Sequence, residues 1–338
     1  MRMRAGIVGI TGYTGVELAR LVAGHPKLEL VLGAAGTSAG QPLSGVWPAL
    51  EGVLDLAVES VDAERLASAC DVVFLAMPHG HAAALAPRLL EAGLVVVDLG
   101  ADFRLRRPDL YARYYGLTHP SPGLLDEAVY GLPELNGDAL PGARLIACPG
   151  CYPTAVTLAA RPLLGEVASP IVATCLSGVS GAGRGAAERT RFVETADQAR
   201  AYGIAGSHRH SPEIEQNLDG ASVVFTPHLA PMNRGIVATV VMQHPHPTTP
   251  DAVAERYRAA YSDAPMVVLR DAPPTTADVR GTNRVHLHVR HDSERSVTTA
   301  VCVIDNLVKG SGGQALQALN LAQGWPETLG LPMHPWLP

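Results

Sequence analysis

A short apolar strand from Ala5 to Ile10 opens the chain, and Val16-Glu17-Leu18-Ala19-Arg20-Leu21-Val22 follows with its apolar residues at helical spacing. Between them lies a glycine-rich turn. A second strand spans Leu28 to Ala34, and the alternation continues: Asp71 to Met77 reads as a buried strand, His81 to Ala92 as a helix, Leu94 to Leu99 as another strand. A further strand, Ala143 to Ala147, leads into a helix from Tyr152 to Leu164. Strands alternating with helices, and apolar on both faces, imply a doubly wound parallel sheet.

From Pro170 the texture changes. Ile171 to Leu176 reads as a strand followed by a glycine-serine loop, Ser177 to Arg184. Val285, Leu287 and Val289 then alternate with His286, His288 and Arg290, turn at Asp292-Ser293-Glu294 and return as Val297 to Ile304. Period-two alternation around a polar turn predicts an antiparallel hairpin, and hence a second, α+β domain. A final helix is expected over roughly Gly313 to Gln323.

The first turn carries chemistry. In Gly9-Ile10-Thr11-Gly12-Tyr13-Thr14-Gly15 the glycines fall as G-x-x-G-x-x-G, a variant of the dinucleotide fingerprint with the same mechanics. Glycines let the backbone approach a pyrophosphate, which rests on the N-terminus of the following helix. Gly9, Thr11, Gly12, Tyr13, Thr14 and Gly15 are therefore candidate cofactor-binding residues. An NAD site usually ends its second strand in a carboxylate for the ribose 2′-hydroxyl, whereas this one runs Ala34-Ala35-Gly36-Thr37-Ser38. Without a carboxylate there, Thr37 and Ser38 suit a 2′-phosphate, and NADP is favoured over NAD. The fold expected is a Rossmann-type doubly wound sheet in residues 1–150, completed by the C-terminal helix 306–338. Residues 151–305 are left as a catalytic, substrate and oligomerisation domain with antiparallel strands. Ligands of such sheets sit beyond the strand carboxyl ends, which assigns Met77-Pro78-His79-Gly80, Gly100 to Arg104, and Cys148 to Cys151 to one rim.

Composition narrows the function. The chain has 338 residues, 47% of them apolar and 17% charged, as expected of a compact two-domain protein. A formal net charge of -6 and the lack of dense Lys/Arg runs argue against nucleic-acid binding. No signal peptide and no membrane span is read, so a cytoplasmic protein is expected. Five cysteines in so long a chain fit a reducing compartment better than a disulfide framework.

Of those five, Cys151 stands apart. It follows Pro149-Gly150 at the start of a predicted helix, where partial positive charge favours the thiolate. Cys148 makes a C-x-x-C with it; without a second pair this is half a zinc site at most, and a thioredoxin-type motif would follow the first strand of its unit instead of lying so deep in the chain. A histidine partner is available in His208-Arg209-His210-Ser211-Pro212-Glu213, where Ser211 is expected to cap a helix and Pro212 to open it. H-x-H pairs at 79/81, 208/210, 244/246 and 286/288 raise a metalloenzyme reading. The pairs lie in differently patterned segments without a third ligand nearby, so no metal is assigned.

Several segments, in order, resemble one family. They are Gly9-x-Thr11-Gly12-Tyr13-Thr14-Gly15, Leu75-Ala76-Met77-Pro78-His79-Gly80, Asp98 to Leu105, Pro149-Gly150-Cys151-Tyr152-Pro153-Thr154 and Ser177 to Arg184. His208-Arg209-His210, Thr226 to Gly235 and Asp305-Asn306-Leu307-Val308-Lys309-Gly310 complete the series. The chain is similar to N-acetyl-gamma-glutamyl-phosphate reductases along essentially its whole length. That resemblance implies NADPH-dependent reduction of N-acetyl-glutamyl 5-phosphate to the semialdehyde, with release of phosphate, in arginine biosynthesis. It implies Cys151 as nucleophile, His210 as acid-base residue and Glu213 as the carboxylate near it. Arg104 resembles a phosphate-contacting arginine, and Asn306 the asparagine that faces the nicotinamide. The loop Ser177 to Arg184 offers backbone N–H groups, hydroxyls and a cation, which suit phosphate or cofactor; Ser177 and Gly178, with Pro78, are expected at the cofactor, and Ser180, Arg184 and His208 at substrate or phosphate. A small-molecule substrate and a homo-oligomer, dimer or tetramer, are expected. Relatives often carry asparagine where Cys148 stands, which leaves open which thiol acts. Two other readings are the same chemistry on an aspartyl or carrier-bound aminoadipyl phosphate, and a non-catalytic NADP-binding sensor.

Overall fold

The computed structural model describes residues 2–185 and 187–337, which form two compact units. Unit 1 comprises Met1–Pro149 with Ser311–Leu331, and unit 2 comprises Gly150–Gly310 with Pro332–Pro338.

In unit 1 the strands are β1 (Met3–Val8), β2 (Leu28–Ala34), β3 (Val58–Glu59), β4 (Val72–Leu75), β5 (Val95–Asp98), β6 (Val129–Tyr130) and β7 (Leu145–Ala147). They form one seven-stranded sheet in the order β3-β2-β1-β4-β5-β7-β6. Every neighbouring pair is parallel, as the strand-helix alternation requires. The order reverses between β1 and β4, which marks the topological switch point and puts the glycine turn beside it. The helices Ala63–Ala69 and Ala82–Glu91 pack their apolar residues, Leu66, Ala82, Ala83, Ala86 and Leu89, into one core with Val8, Val73, Leu75 and Val96 of the sheet.

The last helix of unit 1, Gly313–Ala322, is buried nearly all round and carries three buried polar side chains on that surface. Each has partners: Gln314 donates to the Gly131 carbonyl, Gln317 to Glu134 and Glu327, and Asn320 to the carbonyls of Glu327 and Leu329. The flanking residues depart from the expected 306–338 module. Residues 306–310 and 332–337 belong to unit 2, because Gly310 donates to the Asp305 carbonyl while Trp336 and Asn283 make backbone bonds to Arg280 and Pro332.

Unit 2 holds β8 (Ile171–Ser177), β9 (Arg200–Ala201), β10 (Val223–Leu229), β11 (Ile236–Gln243), β12 (Val267–Leu269), β13 (Val285–Asp292) and β14 (Val297–Ile304). Their order is β12-β13-β14-β11-β8-β10-β9, a mixed sheet in which β13-β14-β11-β8 run antiparallel. The hairpin read from period-two alternation is β13-β14, paired from Val285 opposite Ile304 to Asp292 opposite Val297. One face, with Ala173, Cys175, Phe225, Ala238 and Val240, is buried, and the helix Cys151–Ala160 packs against β11 and β14. Tyr257 and Tyr261 donate their hydroxyls to the carbonyls of Ala159 and Leu158, tying the helix Pro250–Ala260 to the end of that same helix. On the opposite face Val172, Leu176 and Val224 are exposed. Among the described residues no helix is long and apolar enough to cross a membrane.

Candidate active site

The glycine turn of unit 1 is built around two close approaches. Gly9 has φ +87° and faces the Ala76 carbonyl beyond β4, and Gly15 sits against the Gly9 carbonyl; a Cβ at either position has no room. Gly12 is the N-cap of the helix Tyr13–Ala23 and offers no side chain to it, so the first-turn amides point outward uncapped. This donor set suits a pyrophosphate, and a dinucleotide fits the cradle. Trp47, which periodicity did not single out, holds the turn: its indole N–H donates to the Thr11 carbonyl at 3.2 Å and its ring lies 5.9 Å from that of Tyr13. Thr14 takes a 3.4 Å hydrogen bond from Ser311. Thr37 is exposed and Ser38 half-buried, both in the turn after β2.

The strand ends next to this turn carry a buried polar cluster. Asp102 accepts from the amides of Gly80 (2.7 Å) and Ala83 (2.9 Å), which fixes the Pro78-His79-Gly80 turn and caps the helix behind it. Asp98, fully buried at the end of β5, is pushed up to about 7 by burial and then by the Asp102 carboxylate. Arg104, 8% exposed, donates to the carbonyls of Cys148 (2.7 Å) and Leu99 (2.9 Å). It braces the strand ends through main-chain oxygens. Cys148 is buried, and burial followed by the Asp98 charge pushes its thiol well above the usual range. A thiol so held is inert.

Cys151 differs on each count. It is half-buried and is the first residue of the helix Cys151–Ala160, whose first turn contains no acidic residue and whose N-cap is Gly150. Thr154 anchors Gly150 by donating both its amide (3.0 Å) and its hydroxyl (3.1 Å) to the Gly150 carbonyl. On the other side, the Gly150 amide donates to Glu213 Oε1 at 2.8 Å. His210 packs edge-on against the same residue, since a Cβ built on Gly150 would lie 2.6 Å from His210 Nε2. Glycine is needed here for closeness, not for conformation, because its φ is -67°. The Cys151 thiol, the His210 imidazole and the Glu213 carboxylate thus gather around one glycine. His210 is itself the N-cap and Ser211 the first helical residue of Ser211–Asn217, so the expectation that Ser211 caps the helix is not met. The Ser211 amide closes a turn onto the His208 carbonyl instead, which draws the residue into the helix and leaves its hydroxyl buried without a partner.

His208 serves His210. Its Nδ1 accepts from the His210 amide at 3.0 Å, and its ring is surrounded by Tyr152 (5.8 Å), Tyr202 (5.4 Å), Phe225 (5.3 Å) and His210 (4.8 Å). Burial in this aromatic nest, helped by Arg209, lowers its pKa to about 4. At neutral pH it is therefore a neutral imidazole. Tyr152 and Tyr202, whose hydroxyls pair at 3.0 Å, have no site role in the sequence reading.

A third group in unit 2 joins Ser177, Gly178, Ser180 and Asn306. Gly178 lies against the Asn233-Arg234 peptide with no space for a Cβ, and its amide donates to the Gly235 carbonyl at 2.9 Å. Asn306 accepts from the Gly235 amide (2.7 Å) and donates to Ser180 Oγ (3.0 Å). The glycine-serine loop is thereby ordered through Ser180, whereas Arg184 lies on an exposed bend. Of the histidine pairs, His244 shares Thr298 with His291 (2.8 and 3.0 Å) instead of joining His246. Among the described residues no group of three or more His, Cys, Asp or Glu is placed to hold a metal.

Comparison with known proteins places this geometry. N-acetyl-gamma-glutamyl-phosphate reductase of Halorhodospira halophila is 51% identical, over 97% of this chain and 98% of its own length. Those of Symbiobacterium thermophilum (48%; 99% and 100% covered) and Neisseria gonorrhoeae (46%; 100% and 99%) are similar throughout. The chain belongs to the N-acetyl-gamma-glutamyl-phosphate reductase family. Consistently, residues 4–143 match the semialdehyde dehydrogenase NAD binding domain and residues 151–306 the semialdehyde dehydrogenase dimerisation domain. Among solved structures, aspartate semialdehyde dehydrogenase II of Vibrio cholerae shares the fold (TM-score 0.71, 20% identity, 95% of this chain and 98% of that one). The Candida albicans aspartate semialdehyde dehydrogenase, solved with NADP, does so equally (TM-score 0.71, 19% identity, 95% and 98%). As a member of the N-acetyl-gamma-glutamyl-phosphate reductase family the chain is an NAD(P)-dependent oxidoreductase of a small-molecule substrate.

Proposed function

We propose that the chain reduces N-acetyl-L-glutamyl 5-phosphate to N-acetyl-L-glutamate 5-semialdehyde and phosphate, with NADPH, in arginine biosynthesis. The observation that carries this reading is the meeting of Cys151, His210 and Glu213 around Gly150. An acyl phosphate is already activated, so the protein's task is to hold the acyl group as a hydride acceptor. The Cys151 thiolate, favoured at its helix start, attacks the acyl carbon; the C–S bond forms as the C–O bond to phosphate breaks. The Gly9-Gly12-Gly15 cradle, with Thr37 and Ser38 for the 2′-phosphate, holds the cofactor, which when bound supplies the hydride. Protonated His210 supports the oxygen of the reduced carbon until the C–S bond breaks, which releases the semialdehyde and returns the Cys151 thiolate, and Glu213 orients His210 and favours its charged form. Arg104, Ser180, Arg184 and His208 are the groups proposed for substrate and phosphate, and Pro78, Ser177, Gly178 and Asn306 for the cofactor.

The reading extends to assembly and compartment. The open face with Val172, Leu176 and Val224, on a sheet whose residues match a dimerisation domain, supports a homo-oligomer, dimer or tetramer. Five free cysteines support a reducing compartment, the cytoplasm.

The test is phosphate-dependent reduction of NADP with N-acetyl-glutamate semialdehyde, beside aspartate and aminoadipate semialdehydes. Cys151→Ala should abolish turnover and Cys148→Ser should retain it; preference for another semialdehyde, or turnover that survives Cys151→Ala, would overturn the reading.

A further inference from the structure

Asp305, at the end of β14 and fully buried, is the point on which one turn of unit 2 is built. Its Oδ1 accepts from the amides of Leu307 (2.9 Å) and Val308 (3.1 Å), its Oδ2 from the amide of Gly281 (2.7 Å), and its carbonyl from Gly310 (2.9 Å). The carboxylate is held in turn by Arg234, with Nε 3.1 Å from Oδ2 and Nη2 3.1 Å from Oδ1. Two residues of the turn reach the candidate site: Asn306, bonded to Gly235 and Ser180, and Gly310, where an added Cβ would lie 2.8 Å from Cys151 Cβ. Gly310 lies within the π-helical turn Val308–Gly312, an irregularity of the kind concentrated at functional sites.

A distant part of the chain covers this pair. The Trp336 ring lies 4.9 Å from the Arg234 guanidinium and rests on Gly281, where a Cβ would have no room beside the indole. Arg234 is left 9% exposed by its side chain, whereas Trp336 keeps 45% of its surface in solvent. The ring is thus a cover that can be removed without opening the core. An ion pair next to water weakens as water gains access, and a cation beneath an aromatic face is held and desolvated by it.

We propose that Trp336, Arg234 and Asp305 form a latch: the ring closes the ion pair, the ion pair fixes the 305–310 turn, and the turn keeps Gly310 seated against Cys151. The three are positioning residues, since none touches the reacting atoms. The inference rests on Cys151 being the nucleophile, and it is tested apart from turnover. Cys151 alone of the five cysteines is not buried, so the rate of alkylation by iodoacetamide reports its setting without substrate or cofactor. Trp336→Ala should lower both that rate at 25 °C and kcat about fivefold, with the KM for semialdehyde unchanged. Trp336→Phe, which keeps an aromatic face, should recover most of the loss, and Leu337→Ser, at an exposed neighbour, should change nothing. Arg234→Lys keeps the charge but not the bidentate fork, and should slow alkylation at least as much. Unchanged alkylation in Arg234→Lys, or in a folded Trp336→Ala whose melting temperature alone falls, would overturn the latch. If the unaltered protein shows no phosphate-dependent turnover while Trp336→Ala still slows alkylation, the latch stands and the reductase reading falls.

Discussion

The imidazole of His210 lies against the Cα of Gly150 so closely that a methyl group there would come within 2.6 Å of Nε2. The backbone at Gly150 is extended, with φ -67° and ψ 152°, so alanine meets no conformational penalty. The cost falls on the imidazole, which has to move. Gly150→Ala should therefore lower kcat by about 100-fold, as a displacement on the order of 1 Å does in an aligned site, while overpacking costs roughly 1–3 kcal/mol of stability. Steady-state kinetics with a melting curve checks this. A variant with unaltered kcat would separate His210 from the chemistry.

His208 is a neutral acceptor for the His210 amide. His208→Asn keeps a side-chain acceptor of similar reach, whereas His208→Leu keeps the volume and deletes the acceptor. The first should hold kcat within about threefold and the second should lose about tenfold or more. With its pKa lowered to about 4 by burial, His208 contributes no ionisation to a rate profile taken between pH 6 and 9. If His208→Asn removed a limb of that profile, the residue would be titrating in the reaction itself.

Much of this was legible from periodicity and turn residues, because local patterns record local constraints. The strand Leu28–Ala34, the hairpin β13-β14 and the glycine turn needed nothing beyond period two, period 3.6 and the placement of glycine. What escaped were contacts between distant residues. Nothing near Gly150 announces that Glu213 accepts its amide, and nothing near His208 announces that Tyr152, Tyr202 and Phe225 enclose it. The two-residue strands β3, β6 and β9 are too short to carry a period at all. Trp47 and Trp336 lie in segments without regular patterning, and their roles follow from what their rings cover.

Asp98 gives stability a pH dependence of definite sign. Its folded pKa of about 7 lies above the 3.8 of an unperturbed aspartate, so between these values the folded state binds the extra proton. Its protonated form contributes stability that is complete below the unfolded pKa and is lost as pH rises through 7. Asp98→Asn keeps an oxygen for the Gly100 amide, 2.8 Å away, and cannot ionise. Relative to the unaltered protein it should gain roughly 2–4 kcal/mol between pH 5 and pH 8. Denaturant melts of both proteins across that range measure the difference. A constant gap would mean that Asp98 is ionised throughout.

Glu213 separates two tasks that one carboxylate performs. Its Oε1 accepts the Gly150 amide at 2.8 Å, and it stands three residues beyond His210, so the two begin the same helical face. Glu213→Gln retains an acceptor for the amide but removes the negative charge proposed to favour protonated His210. Glu213→Ala removes both and leaves a buried N–H unsatisfied, at a cost of about 1–3 kcal/mol. Glutamine should therefore lower kcat by about tenfold at neutral pH. Alanine should lose about 100-fold or more and also slow iodoacetamide, since the turn that carries Cys151 is no longer pinned. Equal losses in the two variants would reduce Glu213 to an anchor for Gly150 and leave the charge of His210 to other groups.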